Sequence, residues 1–242
     1  MLTVLSFNIG NYTAHDARDL ARLISEARAD IIGLYEVTWI EDKTAVASLM
    51  QDLETPYSAT GMSSHTQNHT LLLSKYPFLH TDTFITLQNS GLSTKIDTNL
   101  GIITLAAIHL APSPEQSRLK ELSEVMSTID DPSVPSMIIG DLNAVSKGDP
   151  VDYSAIPVEA PTYEVTETIK QAGFTDIGHA LSTVFMPTVP ITQDDGIEFH
   201  NLRLDYMYIN QILSDHKYEY RVLASGNPHN LSDHLPIVSI IY

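Results

Sequence analysis

Short apolar runs of strand length recur along this chain, and residues able to ligate or catalyse stand at their ends again and again. Asn8 follows Val4 to Phe7, and Glu36 follows Ile31 to Tyr35. His109 closes Ile102 to Ile108, while Asp141 and Asn143 follow Met137 to Ile139. Asp205 opens the run Tyr206 to Ile209, and Asp233-His234 precedes Leu235 to Ile241. A strand scaffold with polar groups at its edge is a common way to build a site, because the rigid element fixes where the side chain points. One such residue means little, but the repetition constrains the reading.

Between these runs the period changes to a helical one. Ala17, Leu20, Ile24 and Ala27 recur at helical spacing, and Asp42 to Leu53 reads as a second helix. Pro114 to Ile129 reads as a third, with Ser113 as N-cap and Pro114 at the first helical position. Further strands are expected at Leu2 to Phe7, Ile31 to Leu34, Thr70 to Leu73 and Ile102 to Leu110. Met137 to Ile139 stops at Gly140, and late strands follow at Leu204 to Ile209, Tyr218 to Leu223 and Ile237 to Ile241. The stretch Lys147 to Pro161 reads as a long surface loop, and Phe185 to His200 as irregular, with Val184 to Pro187 as an exposed apolar loop. No repeat or linker divides the chain, so residues 1–242 are read as one α/β domain.

Charge narrows the partners. Thirty acidic residues against thirteen basic ones give a formal charge of -17, which repels polyanions at long range. The Lys and Arg are scattered and form no patch, so nucleic acid is possible as a substrate but not favoured. With no cysteine, disulfides and thiolate metal sites are excluded, leaving oxygen and imidazole donors. No run approaches the length of a membrane span and no signal peptide is visible, so a cytoplasmic protein is expected.

The residue types at the strand ends suit one chemistry. Glu36, Asp141, Asp205 and Asp233 are hard donors that match Mg²⁺ or Mn²⁺. Asn8 and Asn143 can donate to phosphate oxygens, and His234 or His109 can donate to the charge that develops in a transition state. Together they cover the needs of phosphate-ester hydrolysis: a polarised phosphorus, an activated water and a stabilised leaving oxygen. Singly, each has a plainer reading. Asp141 or Asn8 alone would be a turn residue, His109 a buried histidine, and Asp205 a partner for Arg203.

The segments Ser6-Phe7-Asn8-Ile9, Tyr35-Glu36-Val37, Leu73-Ser74-Lys75-Tyr76-Pro77, Ile108-His109-Leu110-Ala111-Pro112, Gly140-Asp141-Leu142-Asn143, Arg203-Leu204-Asp205-Tyr206 and Ser232-Asp233-His234-Leu235-Pro236 occur in a telling order. As an ordered set spanning Leu2 to Ile241, they resemble the endonuclease/exonuclease/phosphatase superfamily. The resemblance implies a four-layer α/β/β/α sandwich of two mixed sheets. It implies Glu36 as principal metal ligand with Asn8 close by, Asp141 orienting or deprotonating water, and Asn143 binding the scissile phosphate. His234 would contact the phosphate and be oriented by Asp205, Asp233 would sit beside the metal, and His109 would touch a phosphate oxygen or the leaving group. Two departures stand out: Tyr35 where this family commonly has Gln, and Asn68-His69 where it often has a small pair. Asn68 and His69 are therefore candidate substrate contacts.

These residues point to an Mg²⁺- or Mn²⁺-dependent phosphodiesterase or phosphatase, with a small soluble phosphate ester favoured over a DNA or RNA substrate. A non-catalytic binding module on the same fold is the alternative of another class. A calcium-binding structural protein is disfavoured, because the acidic residues show no EF-hand spacing. Oligomeric state has no signature in the sequence.

Overall fold

A computed structural model describes residues 1–10, 12–129, 131–150, 162–181, 184–194, 197–223 and 232–242, with the backbone alone over 190–194 and 197–200. One six-stranded sheet contains β1 (Leu2–Asn8), β2 (Ile31–Tyr35), β3 (Tyr57–Gly61), β4 (Thr70–Ser74), β13 (Tyr218–Val222) and β14 (Ile237–Ile241). Its strand order is β13-β14-β1-β2-β4-β3. The other contains β5 (Phe78–Thr83), β6 (Ser90–Thr98), β7 (Gly101–His109), β8 (Ser136–Asp141), β9 (Thr175–Asp176) and β12 (Asp205–Ile209), in the order β5-β6-β7-β8-β12-β9. In each sheet one central pair is parallel, β1 with β2 and β7 with β8, and the remaining pairs are antiparallel. The expected pair of mixed sheets is what the chain forms.

The central strands are buried on both faces, which is why they read as continuous apolar runs. Their two faces nonetheless serve different layers. Leu2, Val4, Ile31, Leu105, Ala107, Met137, Ile139, Met207 and Ile209 meet in the core between the sheets. Leu5, Phe7, Ile32 and Leu34 face the opposite way, against α1 (Ala17–Ser25) and α2 (Lys43–Asp52). Ala106, Ile108, Ile138, Tyr206 and Tyr208 likewise pack under α3 (Glu115–Thr128) and α4 (Glu164–Gln171). Helix α1 buries Ala17, Leu20, Ala21 and Ile24, a single stripe at helical spacing. Asp42 caps α2 by accepting the N–H groups of Thr44 and Ala45.

Strand parity then places the chemistry. Side chains two residues apart share a face. Asn8 therefore follows Val4, His109 follows Leu105 and Ala107, and Asp141 follows Met137 and Ile139 onto the inter-sheet side. Asp205 shares that side with Met207 and Ile209. The polar residues form the end cap of the inter-sheet core.

Tyr35 belongs to the same face and ties the sheets together. Its hydroxyl donates to the Ile139 carbonyl across the sandwich at 3.1 Å and sits 3.4 Å from Ser6 Oγ. Gly33 makes room for it, because a Cβ there would lie 2.8 Å from the Tyr35 hydroxyl oxygen. Removing that hydroxyl in Tyr35→Phe is expected to lower unfolding free energy by about 1 kcal/mol, read from the urea midpoint. An unchanged midpoint would mean that the inter-sheet bond contributes nothing net.

Several sequence expectations need correction. The N-cap of α3 is Pro114 rather than Ser113; the Pro114 carbonyl already accepts Ser117 N–H, so the helix begins at Glu115. The segment expected to be irregular after Phe185 contains a hairpin of β10 (Val189–Asp194) and β11 (Ile197–Leu202), paired from Val189 with Leu202 to Asp194 with Ile197. Val184 is exposed as expected, but Met186 is partly buried against the inter-sheet core, so the loop is not apolar surface throughout. The loop expected from Lys147 to Pro161 lies mostly outside the described residues. Among the described residues, no helix is long and apolar enough to cross a membrane.

Candidate active site

Strand register assembles the site in two facing rows. In the first sheet Asn8 pairs with Tyr35, so Glu36 emerges beside Asn8 at the end of β2. In the second, His109 pairs with Asp141 and Asp141 with Asp205, setting three functional residues in one line across β7, β8 and β12. Asp233 and His234 lie just before β14, which pairs with β1. Open α/β sheets gather ligand sites at the carboxyl ends of their parallel strands, and both parallel pairs end here.

The side chains meet across the gap. Asn8 Nδ2 donates to Glu36 Oε1 at 2.9 Å and to Asp141 Oδ2 at 3.0 Å, spanning the two sheets. Its Oδ1 accepts from Gly10 N–H, so the amide presents a donor, not a ligating oxygen, to the two carboxylates. His109 Nε2 lies 3.5 Å from Asp141 Oδ2 and 3.9 Å from Glu36 Oε1. Glu36 takes φ of 62°, a left-handed turn that swings its side chain out of the strand. Its side chain remains 29% exposed, whereas Asp141 is buried, so Glu36 is the carboxylate open to a ligand.

His234 is held from both sides. Its Nδ1 lies 2.8 Å from Asp205 Oδ2, and Nε2 faces Asp141 Oδ2 at 3.7 Å. Burial alone would strip the imidazole of its proton. The Asp205 and Asp141 carboxylates reverse that and raise its pKa to about 10. Burial pushes the Asp205 carboxyl up, and the bond from His234 opposes that shift. We read the pair as imidazolium and carboxylate, with the proton on His234. This is the carboxylate-to-imidazole orientation expected from the sequence.

Backbone-side supports were less visible in sequence. Thr188 Oγ1 accepts the N–H groups of Leu204 and Asp205, each at 3.1 Å. Ser232 Oγ donates to the Asn8 carbonyl at 2.8 Å and accepts His234 N–H at 3.1 Å, fastening the first strand to the turn before the last. Ser232 stood inside a quoted motif; nothing in the sequence marks Thr188.

The remaining expected residues fall at the rim. Asn143, at φ of 46°, donates its backbone N–H to Asp141 Oδ1 at 2.8 Å and its Nδ2 to the Leu110 carbonyl at 3.0 Å. Asp233 is exposed, with Oδ1 3.9 Å from His234 Nε2. His69 accepts Ser63 N–H on Nδ1, and its carbonyl accepts Val37 N–H, one residue beyond Glu36. Burial lowers the His69 pKa, so its imidazole is neutral at neutral pH. Asn68 Nδ2 lies 3.4 Å from Asn89 Oδ1. His69 thus adjoins Glu36 through the Val37 backbone, Asn68 is its chain neighbour, and neither joins the central cluster.

The donor set fits a hard divalent cation. Three carboxylates, Glu36, Asp141 and Asp205, crowd a low-dielectric mouth against the His234 imidazolium, which lies 2.8 Å from Asp205 and 3.7 Å from Asp141, an imbalance that a cation relieves. Asp205 Oδ1 and His109 Nδ1 are buried without partners. Asp141, Asp205 and His234 place ligand atoms within 4.8 Å of one another. That trio is already bonded internally through His234 Nδ1, whereas Glu36 remains half-open.

Comparison with known proteins bears on the fold and the family. The chain resembles the AP endonuclease of Archaeoglobus fulgidus, with a TM-score of 0.76 and 15% identity over 100% of this chain and 99% of that one. An endonuclease/exonuclease/phosphatase from Beutenbergia cavernae DSM 12333 matches with a TM-score of 0.71 and 18% identity, over 98% of this chain and 70% of that one. D. rerio TDP2 complexed with single strand DNA product matches with a TM-score of 0.70 and 14% identity, over 100% and 98%. At such identities these likenesses bear on fold alone. No curated protein matches the sequence. The profile of the Endonuclease/Exonuclease/phosphatase family matches residues 5–234, nearly the whole chain and every residue of the central cluster. By that match and by its paired sheets, the chain belongs to the endonuclease/exonuclease/phosphatase family.

Proposed function

We propose that this chain is a divalent-cation-dependent phosphoesterase that splits a phosphodiester or phosphomonoester by attack of water. The observation that carries the reading is the Asn8 amide bridging Glu36 and Asp141 directly opposite the His234–Asp205 pair. Glu36, with Asp233 at the rim and Asn8 if its amide oxygen turns inward, would hold Mg²⁺ or Mn²⁺. When bound, that cation supplies Lewis-acid polarisation of the phosphate and offsets charge on the departing oxygen.

The chain's own groups divide the remaining work. Asp141 has its carboxylate fixed by Asn8 and by Asn143 N–H, which aims it as the group that orients or deprotonates water. His234 carries a proton on a ring held by Asp205 and offers Nε2–H to a phosphoryl oxygen. Asn143 and His109 flank Asp141 and contact the phosphate or the leaving oxygen. Asn68 and His69 line the approach and bear on which organic group is accepted.

The charge of -17 favours a small soluble phosphate ester over a polyanion. The nearest rival is a DNA or RNA nuclease, which needs cationic surface around the cleft to hold the backbone. Metal-dependent hydrolysis of a panel tests both: bis-p-nitrophenyl phosphate, p-nitrophenyl phosphate, single- and double-stranded DNA, RNA, sphingomyelin and an inositol phosphate. EDTA is expected to abolish turnover, and Glu36→Ala to lower it at least about a hundredfold. Preference for a nucleic acid would replace the small-substrate reading. Silence on every substrate, together with no binding of Mn²⁺, would mean a binding module on this fold instead.

A further inference from the structure

Helix α3 turns a carboxylate, not only apolar side chains, toward the protein interior. Glu121 is 3% exposed and stands on the same buried stripe as Leu122 and Val125. Its two oxygens serve two separate segments: Oε1 accepts Gln88 N–H and Oε2 accepts Ala111 N–H, both at 2.8 Å. Arg118, one turn earlier on the helix, grips the other end of that residue. Its Nη1 donates to the Ala111 carbonyl at 3.3 Å and to the Pro112 carbonyl at 2.7 Å. Ala111 is thus held at N–H by one side chain and at C=O by its neighbour.

The held segment begins two residues after His109. Between them sits the Leu110 carbonyl, which accepts both Asn143 Nδ2 and Asn89 Nδ2 at 3.0 Å. Asn89 is the residue after Gln88, the other segment on the Glu121 carboxylate. Both branches of the clamp therefore converge on one carbonyl oxygen, and that oxygen accepts the Asn143 carboxamide. Asn143 lies in a left-handed backbone conformation that leaves it little freedom to compensate.

We infer that Glu121, aided by Arg118, is a positioning residue that fixes the Leu110 carbonyl and so aims Asn143 and His109 at the reacting phosphate. A carboxylate is the right group, since it offers acceptor lone pairs on both oxygens to two N–H groups from different loops. Glutamine offers one acceptor oxygen and points an amino group at the second N–H. The kinetic arm of this inference rests on the phosphoesterase reading; its structural arm does not.

Glu121→Gln tests it in the full chain. We expect kcat on the preferred panel substrate to fall about 10–100-fold, the range typical of lost outer-layer support. Mn²⁺ affinity should stay within about twofold, because Glu36 is untouched. By NMR the Asn143 and Asn89 carboxamide resonances should shift, and exchange of the Ala111 and Gln88 amides should accelerate about a hundredfold. Arg118→Met removes the carbonyl side of the grip at a half-buried position and should show the same pattern with smaller changes, which keeps the test alive if Glu121→Gln does not fold. Unmoved Asn143 and Asn89 resonances would overturn the clamp, whether or not the chain is active. Moved resonances with unchanged kcat would overturn its role in aiming Asn143. A wild-type chain inert on every substrate and unable to bind Mn²⁺ would instead sink the phosphoesterase reading.

Discussion

His234→Ala is expected to reduce kcat by about a hundred- to ten-thousandfold, with Mn²⁺ binding retained. The size follows from what is lost: an imidazolium whose orientation is fixed by Asp205 at 2.8 Å and which faces Asp141 across the mouth. The same change leaves Asp205 fully buried with its charge uncompensated, a defect of about 3–5 kcal/mol. His234→Ala paired with Asp205→Asn separates the two effects, recovering stability without recovering turnover. Asp141→Asn should lower turnover at least about a hundredfold by a different route, since it removes a charged acceptor and leaves the fold intact. Near-normal rates in both His234→Ala and Asp141→Asn would sink the assignment of roles. Stability gives an independent check by pH. The folded pKa of His234, about 10, lies above the unfolded value of about 6.5. Its contribution is complete below about pH 6.5 and is lost as pH rises toward 10. Thermal melts of metal-free protein should therefore fall over that interval, and the decline should flatten in the double variant.

Gly140→Ala is expected to disrupt the fold severely for a single added methyl group. Gly140 sits at φ of 145°, a region that L side chains avoid, and an added Cβ would lie 1.8 Å from the Ile108 carbonyl oxygen. That oxygen belongs to the backbone of the adjacent strand, so no rotamer change relieves the overlap. We expect a loss of about 4 kcal/mol or more, at the extreme of single substitutions. The strands must part at the Gly140–Ile108 pair, which lies beside the His109–Asp141 pair. Any folded fraction should therefore also lose turnover about a hundredfold or more, because small displacements of reacting groups are costly. A urea midpoint within error of the wild type would show that β7 and β8 have slack that their register does not suggest.

The legible part of the fold was the part buried on both faces. β1, β2, β4, β7, β8 and β14 carry runs of apolar residues broken only by single polar or Gly positions, and a strand buried on both faces shows little alternation. β3, β5 and β6 were missed because their sequences are polar. Tyr57–Gly61 and Phe78–Thr83 lie at sheet edges with most residues exposed, while Ser90–Thr98 fills buried positions with Ser and Thr. Such hydroxyls find partners in the facing sheet, as Ser90 does with Thr70 at 2.7 Å. Segments far apart in sequence supply the site residues, so composition alone could name candidates but not their contacts. Asn8, Glu36, His109, Asp141, Asp205 and His234 were named from their strand-end positions, and register brings them together. The supports at Thr188, Asn89 and Glu121 were not legible, because each acts through a backbone atom of another loop and any polar side chain looks alike until that loop is in place.

Segments far apart in the sequence meet at this mouth. Ser232 reaches the Asn8 carbonyl across 224 positions of chain and so ties His234 to the first sheet. Strand β14 must slide in beside β1 before His234 can reach Asp205 or Asp141. A chain lacking the segment from Ser232 through β14 thus carries Glu36 and Asp141 but not the His234 imidazolium opposite them. Under the proposed function, a polypeptide clipped ahead of Ser232 would lose turnover by topology alone, with Glu36 and Asp141 still in place.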